Sequence, residues 1–91
     1  MKVVFSARAK ADLMAQLDWL EDRAPVAARR AADMIHARLA LLGEFPMSGP
    51  KVDTRHRQVT VRFGRDGFVV RYCIEADVIV VMRLFHGRQD R

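Results

Sequence analysis

The order of apolar patterns along this chain predicts an α+β fold. It comprises an N-terminal strand, an αα-hairpin and a three-stranded antiparallel meander, with the helices packed on one face of the sheet. Three observations carry that prediction. Two stripes of apolar residues at helical spacing lie between residues 9 and 42, valine-rich runs with period-two alternation follow residue 58, and only a few turn residues separate those runs.

The elements follow in order. Lys2 to Phe5 is a short β-branched and apolar strand. Ser6 is a good N-cap, and Ala9, Leu13, Leu17 and Leu20 then form the stripe of an amphipathic helix. That helix stops near Ala24, because proline disfavours helical geometry in the residue before it, while Pro25 itself suits the first turn of a second helix. Ala28, Ala31, Ala32, Ile35, Leu39 and Leu42 form the second stripe, whose alanines allow close approach of the helices. Glu44-Phe45-Pro46 is the exit, and Pro46 to His56 reads as a loop. Val59, Val61 and Phe63 alternate with Gln58, Thr60 and Arg62 in a half-buried strand; Gly64-Arg65-Asp66-Gly67 is a hairpin turn; Phe68 to Glu75 and Val78 to Phe85 are strands joined by Ala76-Asp77.

Ninety-one residues, 51% of them apolar, make one domain over residues 1–91. No apolar run approaches the roughly 20 residues that span a bilayer. Met1 to Ser6 is too short and too quickly polar for a signal peptide. Cys73 is the single cysteine, a small buried or half-buried side chain with no disulfide partner in the chain. Together these favour a cytoplasmic protein without membrane contact. The net charge is +5, unevenly placed: residues 1–50 carry seven Lys/Arg against six Asp/Glu, and residues 51–91 nine against five. Thirteen of the sixteen cations are arginine, whose planar fork matches phosphate and carboxylate oxygens. Such a surface attracts nucleic acid, and equally an acidic protein segment.

Turn geometry predicts where the arginines point. With Arg65 and Asp66 as loop residues, Phe63 faces Phe68, Arg62 faces Val69 and Thr60 faces Arg71. Period-two alternation then puts Arg62, Thr60 and Arg71 on an open face, with Val59, Val61, Val70 and Tyr72 on the helix side. Arg83 has two placements. A two-residue turn after Glu75 sets it across from Val70, on the helix side, whereas a three-residue loop or a bulge brings it beside Arg71. The cost of burying an unpaired guanidinium favours the second.

Among the histidines, His36 and His56 read as surface residues. His86 follows the last strand and stands two residues from Arg88, a pairing with the parts for metal-free RNA cleavage: a base for the 2′-hydroxyl and a cation for the phosphate. The same residues also suit a strand end or a protein-binding surface. Asp12, Asp18, Glu21, Asp22 and Asp33 read as solvated helix faces. No Gly-rich phosphate loop, Cys/His metal spacing or nucleophile motif is present, so neither cofactor nor metal is expected.

The strand Gly67-Phe68-Val69-Val70-Arg71-Tyr72, the run Val78 to Phe85 and the tail His86-Gly87-Arg88-Gln89-Asp90, with the opening Phe5-Ser6-Ala7-Arg8-Ala9 and the Glu44-Phe45-Pro46 exit, together resemble the ParE/RelE superfamily of type II toxins, in its ParE-like branch. RelE-like ribonucleases typically bring a cluster of cations and a tyrosine near the C-terminus. Here the only tyrosine is Tyr72, and Lys51 stands alone in its loop. The resemblance therefore implies a non-enzymatic toxin that poisons DNA gyrase, with Arg62, Arg71, Arg83, His86 and Arg88 as target-binding residues. The alternatives are an mRNA interferase using Arg71, His86 and Arg88, and a non-toxic basic binding module. The resemblance also implies a heteromeric complex with a ParD-like antitoxin. Met14, Trp19 and Met34 on the helical hairpin are its candidate contacts, Trp19 serving either as a core flank or as an anchor.

Overall fold

The computed structural model describes residues 1–88, so Gln89, Asp90 and Arg91, the end of the tail in the resemblance, lie outside the described residues. The elements are β1 (Lys2–Phe5), α1 (Ala7–Arg23), α2 (Pro25–Glu44), β2 (Arg57–Val61), β3 (Phe68–Glu75) and β4 (Val78–His86). Ser6 caps α1 by accepting from the Ala9 N–H at 3.0 Å. A single residue, Ala24, links the helices with φ −155° and ψ 83°, and Pro25 opens α2. No helix of the described residues is long and apolar enough to cross a membrane.

The four strands form one sheet in the order β1-β4-β3-β2. β2, β3 and β4 are the antiparallel meander, and β1 joins it parallel to β4, pairing Lys2–Phe5 with Val78–Val81. The core lies between one sheet face and the hairpin. Ala9, Ala31, Ile35 and Leu42 from the helices meet Val59, Val61, Phe68, Val70, Tyr72, Ile79, Val81 and Leu84 from the strands.

The β2–β3 hairpin differs from the tight turn the sequence predicts. β2 ends at Val61, opposite Phe68, and Gln58 rather than Thr60 stands across from Arg71. Residues 62–67 form a wider loop, closed by the Gly67 N–H donating to the Phe63 carbonyl at 2.9 Å. Gly67 has φ +66°, and a Cβ there would lie 2.3 Å from the Val61 carbonyl oxygen. That glycine, immediately before β3, lets the chain enter the strand directly opposite Val61, which takes Arg62 and Phe63 out of the ladder. The slip is two residues, so the side chains still in the ladder keep their predicted faces, while Arg62, predicted beside Thr60 and Arg71, leaves the sheet for the loop. The Phe63 and Phe68 rings still stack, with centroids 5.6 Å apart.

Tyr72 is fully buried and ties the long loop to the sheet. Its hydroxyl donates to the Pro46 carbonyl at 2.7 Å and accepts from the Gly49 N–H at 3.1 Å. Tyr72→Phe leaves that buried N–H without its acceptor, and should cost about 1–3 kcal/mol in chemical denaturation. Farther along the loop, Asp53 accepts from the backbone N–H groups of His56 and Arg55 at 2.7 and 2.8 Å, with the His56 ring also against it. These hydrogen bonds, that of the His56 N–H first, hold its carboxyl at about 2 rather than 3.8. A depressed folded-state value stabilises the loop above pH 3.8, and the contribution is lost as pH falls towards 2. A carboxyl-carbon NMR titration should place the Asp53 midpoint near the lower value.

Candidate functional site

The open face of the sheet is built around an irregularity in β4. Cys73 pairs with Val80 and Tyr72 with Val81, but the next pair is Arg71 with Arg83, so Met82 is an extra residue. Ala76-Asp77 is a two-residue turn, and Ala76 adopts φ +53° there. The bulge, not a longer loop, thus brings Arg83 opposite Arg71. It also allows Val81 and Leu84, three positions apart, both to reach the core.

Two guanidinium groups opposite each other repel, and each is held by a neighbour. Arg71 donates to Gln58 Oε1 from Nε and Nη2 at 3.2 and 3.0 Å. Arg83 Nε donates to Asp12 Oδ2 at 2.8 Å. The same oxygen accepts from the Leu84 N–H at 3.0 Å, and Arg8 approaches the other at 3.7 Å. Phe85, opposite Val69 and two positions beyond Arg83 on β4, has Arg71 Cζ 5.4 Å and Arg83 Cζ 5.8 Å from its ring centroid. Both distances are within cation–π range, and the arginine stems help to bury a phenyl ring on the helix-free face.

Asp12 departs from the solvated helix face predicted for it. Its side chain is only 14% exposed, because α1 packs along the edge of β4 where β1 has ended. Four residues of β1 cover the first part of a nine-residue strand, leaving the later N–H groups in need of an acceptor. The detectable signal was that length mismatch, not the helix periodicity. Gln58 and Phe85 were likewise absent from the predicted site.

The other predicted residues do not all converge on this face. His86 pairs with Phe68 on the helix side, its ring edge-on to the Phe68 ring at 6.2 Å. Its Nδ1 accepts from the Arg88 N–H at 3.2 Å, and Ala15, Gln16 and Trp19 of α1 line a cavity with it. Arg88 is 68% exposed, and its Nε lies 3.5 Å from Asp66 Oδ2 in the 62–67 loop. Arg62 is exposed in the same loop, beside the end of β2. Arg71 and Arg83 are therefore brought together; Arg62 and Arg88 lie at the loop end of the sheet, and His86 lies on the opposite face from Arg71. Among the described residues no three His, Cys, Asp or Glu side chains converge as a metal site. Cys73 sits beside Glu75 and Arg55, and burial, then the Glu75 carboxylate, pushes its thiol up.

The hairpin presents the predicted apolar contacts. Met14, Trp19 and Met34 are 58, 56 and 42% exposed. Arg23 stacks over the Trp19 ring at 4.0 Å and donates to the Trp19 carbonyl at 2.9 Å, holding the indole on the outer surface of α1.

The family described as the ParE toxin of type II toxin–antitoxin system, parDE, matches residues 3–91. The chain belongs to this toxin family. Two toxins of Caulobacter vibrioides, Toxin RelE1 and Toxin RelE3, are each 35% identical to it over 89 residues. Those alignments cover 98% of this chain in both cases, and 96 and 97% of the relatives. A solved chain from the chromosomal ParDE toxin–antitoxin system of P. aeruginosa matches with a TM-score of 0.75 at 22% identity, over 94% of this chain and 95% of that one. The protein is a type II toxin of the ParE/RelE superfamily, and the solved structure shares its fold.

In the toxin, Asp12 links the arginine face to the hairpin. Asp12→Ala should release Arg83 and expose the Leu84 N–H. Loss of a charge-assisted hydrogen bond predicts at least about tenfold faster hydrogen exchange at Leu84, read by NMR, whereas Gln58→Ala should leave Leu84 unchanged.

Proposed function

We propose that the toxin arrests growth by poisoning DNA gyrase. Arg71 and Arg83 are the centre of its target-binding surface, with Arg62 and Arg88 beside it at the loop end of the sheet, and His86, on the opposite face, is left out of it. A cognate ParD-like antitoxin neutralises the toxin in a heteromeric complex by covering Met14, Trp19 and Met34. The observation that carries this reading is the placement of Arg71 and His86 on opposite sheet faces. Metal-free RNA cleavage needs a proton-transferring group and a fixed cation at one phosphate. Arg71 and Arg83 supply cations to a surface, but arginine exchanges no proton at neutral pH. Support for the antitoxin comes from the ParDE system of the solved neighbour and from the exposed apolar side chains of the hairpin.

A second reading, an mRNA interferase using Arg71, His86 and Arg88, is favoured by the RelE names of the two curated relatives. The readings separate on induced expression without antitoxin, with pulse-labelling of DNA and protein synthesis. Gyrase poisoning predicts that DNA synthesis falls first. Arg71→Ala with Arg83→Ala should then abolish the arrest, each lost charge-assisted contact weakening target binding about tenfold or more, while His86→Ala still kills. An earlier fall in protein synthesis, new transcript ends and an inactive His86→Ala would overturn the gyrase reading. Harmless expression would leave only a binding module.

A further inference from the structure

Asp12 is not part of the target-binding surface proposed above, yet the direction of one of its arginines depends on it. α1 starts beside the β4 bulge, where the Ser6 N–H donates to the Val81 carbonyl and the Ser6 hydroxyl to the Met82 carbonyl. Asp12, farther along the helix, meets the next two residues of the strand. Its Oδ2 accepts from Arg83 Nε at 2.8 Å and from the Leu84 N–H at 3.0 Å, and its side chain is 14% exposed. The Leu84 bond matters because it ties the acceptor oxygen to the strand backbone. A carboxylate so held cannot follow a swinging guanidinium, and it fixes the one beside it.

A guanidinium carries five N–H donors in one rigid plane. Asp12 engages Arg83 through Nε, which leaves the terminal Nη groups turned away from α1 for an anion. Arg71 is set in a similar way from β2: Gln58 Oε1 takes its Nε and Nη2, and Nη1 stays open. The two holders are not equivalent. Gln58 is neutral, whereas Asp12 brings the negative charge that lets Arg83 stand opposite Arg71 on the adjacent strand.

We infer that Asp12 is a positioning residue for target recognition. It sets the angle of Arg83 and offsets the repulsion from Arg71, so that both guanidinium groups present their outer edges to one anionic surface. Asp12 can do so only if the arginine face is the target-binding surface proposed above, the reading on which this one rests. Electrostatics gives the role a distinctive sign. A carboxylate beside a cation weakens that cation's pull on an incoming anion, so a plain charge effect makes the toxin stronger when Asp12 is neutralised. Positioning makes it weaker.

Asp12→Asn separates the two, because its amide oxygen still accepts from the Leu84 N–H while the charge that holds Arg83 is gone. The variant is expressed from a titratable promoter without antitoxin, and the toxin level at which growth stops is read by immunoblot. The same is done for Arg83→Ala, for the two combined, and for Arg71→Ala with Arg83→Ala. The expected result is arrest only at about tenfold more toxin for Asp12→Asn, with Leu84 hydrogen exchange in the purified protein close to that of the parent. In the Arg83→Ala background the same substitution should cost nothing further, since a residue that acts through Arg83 has nothing left to orient. Arrest at the parent level or below overturns the inference, and so does an equal loss with and without Arg83, which would mark a purely structural role. Those outcomes leave the arginine face standing, provided that Arg71→Ala with Arg83→Ala is harmless. Full arrest by that double variant, or none by the parent, would sink the reading of the arginine face, and the positioning role with it.

Discussion

One extra residue in β4 sets the geometry of both faces of the sheet. Without the bulge, Met82 would pair with Arg71, and strict alternation would carry Arg83 to the helix side opposite Val70 and turn Leu84 out of the core. With it, Ile79, Val81 and Leu84 all pack under the helices while Arg83 stands on the open face. The bulge is held from the neighbouring edge. The Ser6 N–H donates to the Val81 carbonyl at 2.9 Å, the Ser6 hydroxyl to the Met82 carbonyl at 3.2 Å, and Asp12 takes the Leu84 N–H. Ser6 thus ends β1, caps α1 and engages the bulged residue, which joins a local helix signal to long-range register.

The resulting electrostatics depend on compensation. Facing arginines on adjacent strands destabilise a sheet by charge repulsion, and a solvated pair would simply splay apart. Here Arg83 is drawn to Asp12 and Arg71 to Gln58, and both remain near the Phe85 ring. Each guanidinium keeps donors beyond those used in these bonds. The face is therefore prearranged, with cationic groups restrained before any anionic partner arrives, which lowers the entropy lost on binding.

The fold was largely legible because its signals are local and periodic. The Pro25 break, the two helical stripes and the period-two strands each follow from short-range sterics, and the faces of Val59, Val61, Val70, Arg71 and Tyr72 follow from parity. The β2–β3 register was not, because glycines at both ends of the 64–67 turn permit more than one loop, and a slip of two residues leaves the hydrophobic pattern intact. Asp12 was hidden for another reason. Helix periodicity reports which stripe is apolar, but not which strand N–H beyond a helix cap lacks an acceptor. His86 is separated from Arg71 by the same parity, since its partner Phe68 lies three positions from Arg71 on β3 and so on the other face.

That alternation bears on what the arginine face can do. Along its exposed side, Gln58, Thr60, Arg71 and Arg83 bind anions or donate hydrogen bonds, and none of them takes up a proton at neutral pH. Two groups on that side could in principle transfer protons. Cys73 is buried with its thiol pushed up, and Glu75 is engaged by Arg55. Asp12 is close enough to matter, but its Oδ2 already accepts from both Arg83 and Leu84. Acid–base chemistry at this face would require dismantling the contacts that hold the bulge and its arginines. Binding an anionic surface requires no such rearrangement. The architecture of the arginine face thus suits recognition of anionic groups more than proton transfer at its surface.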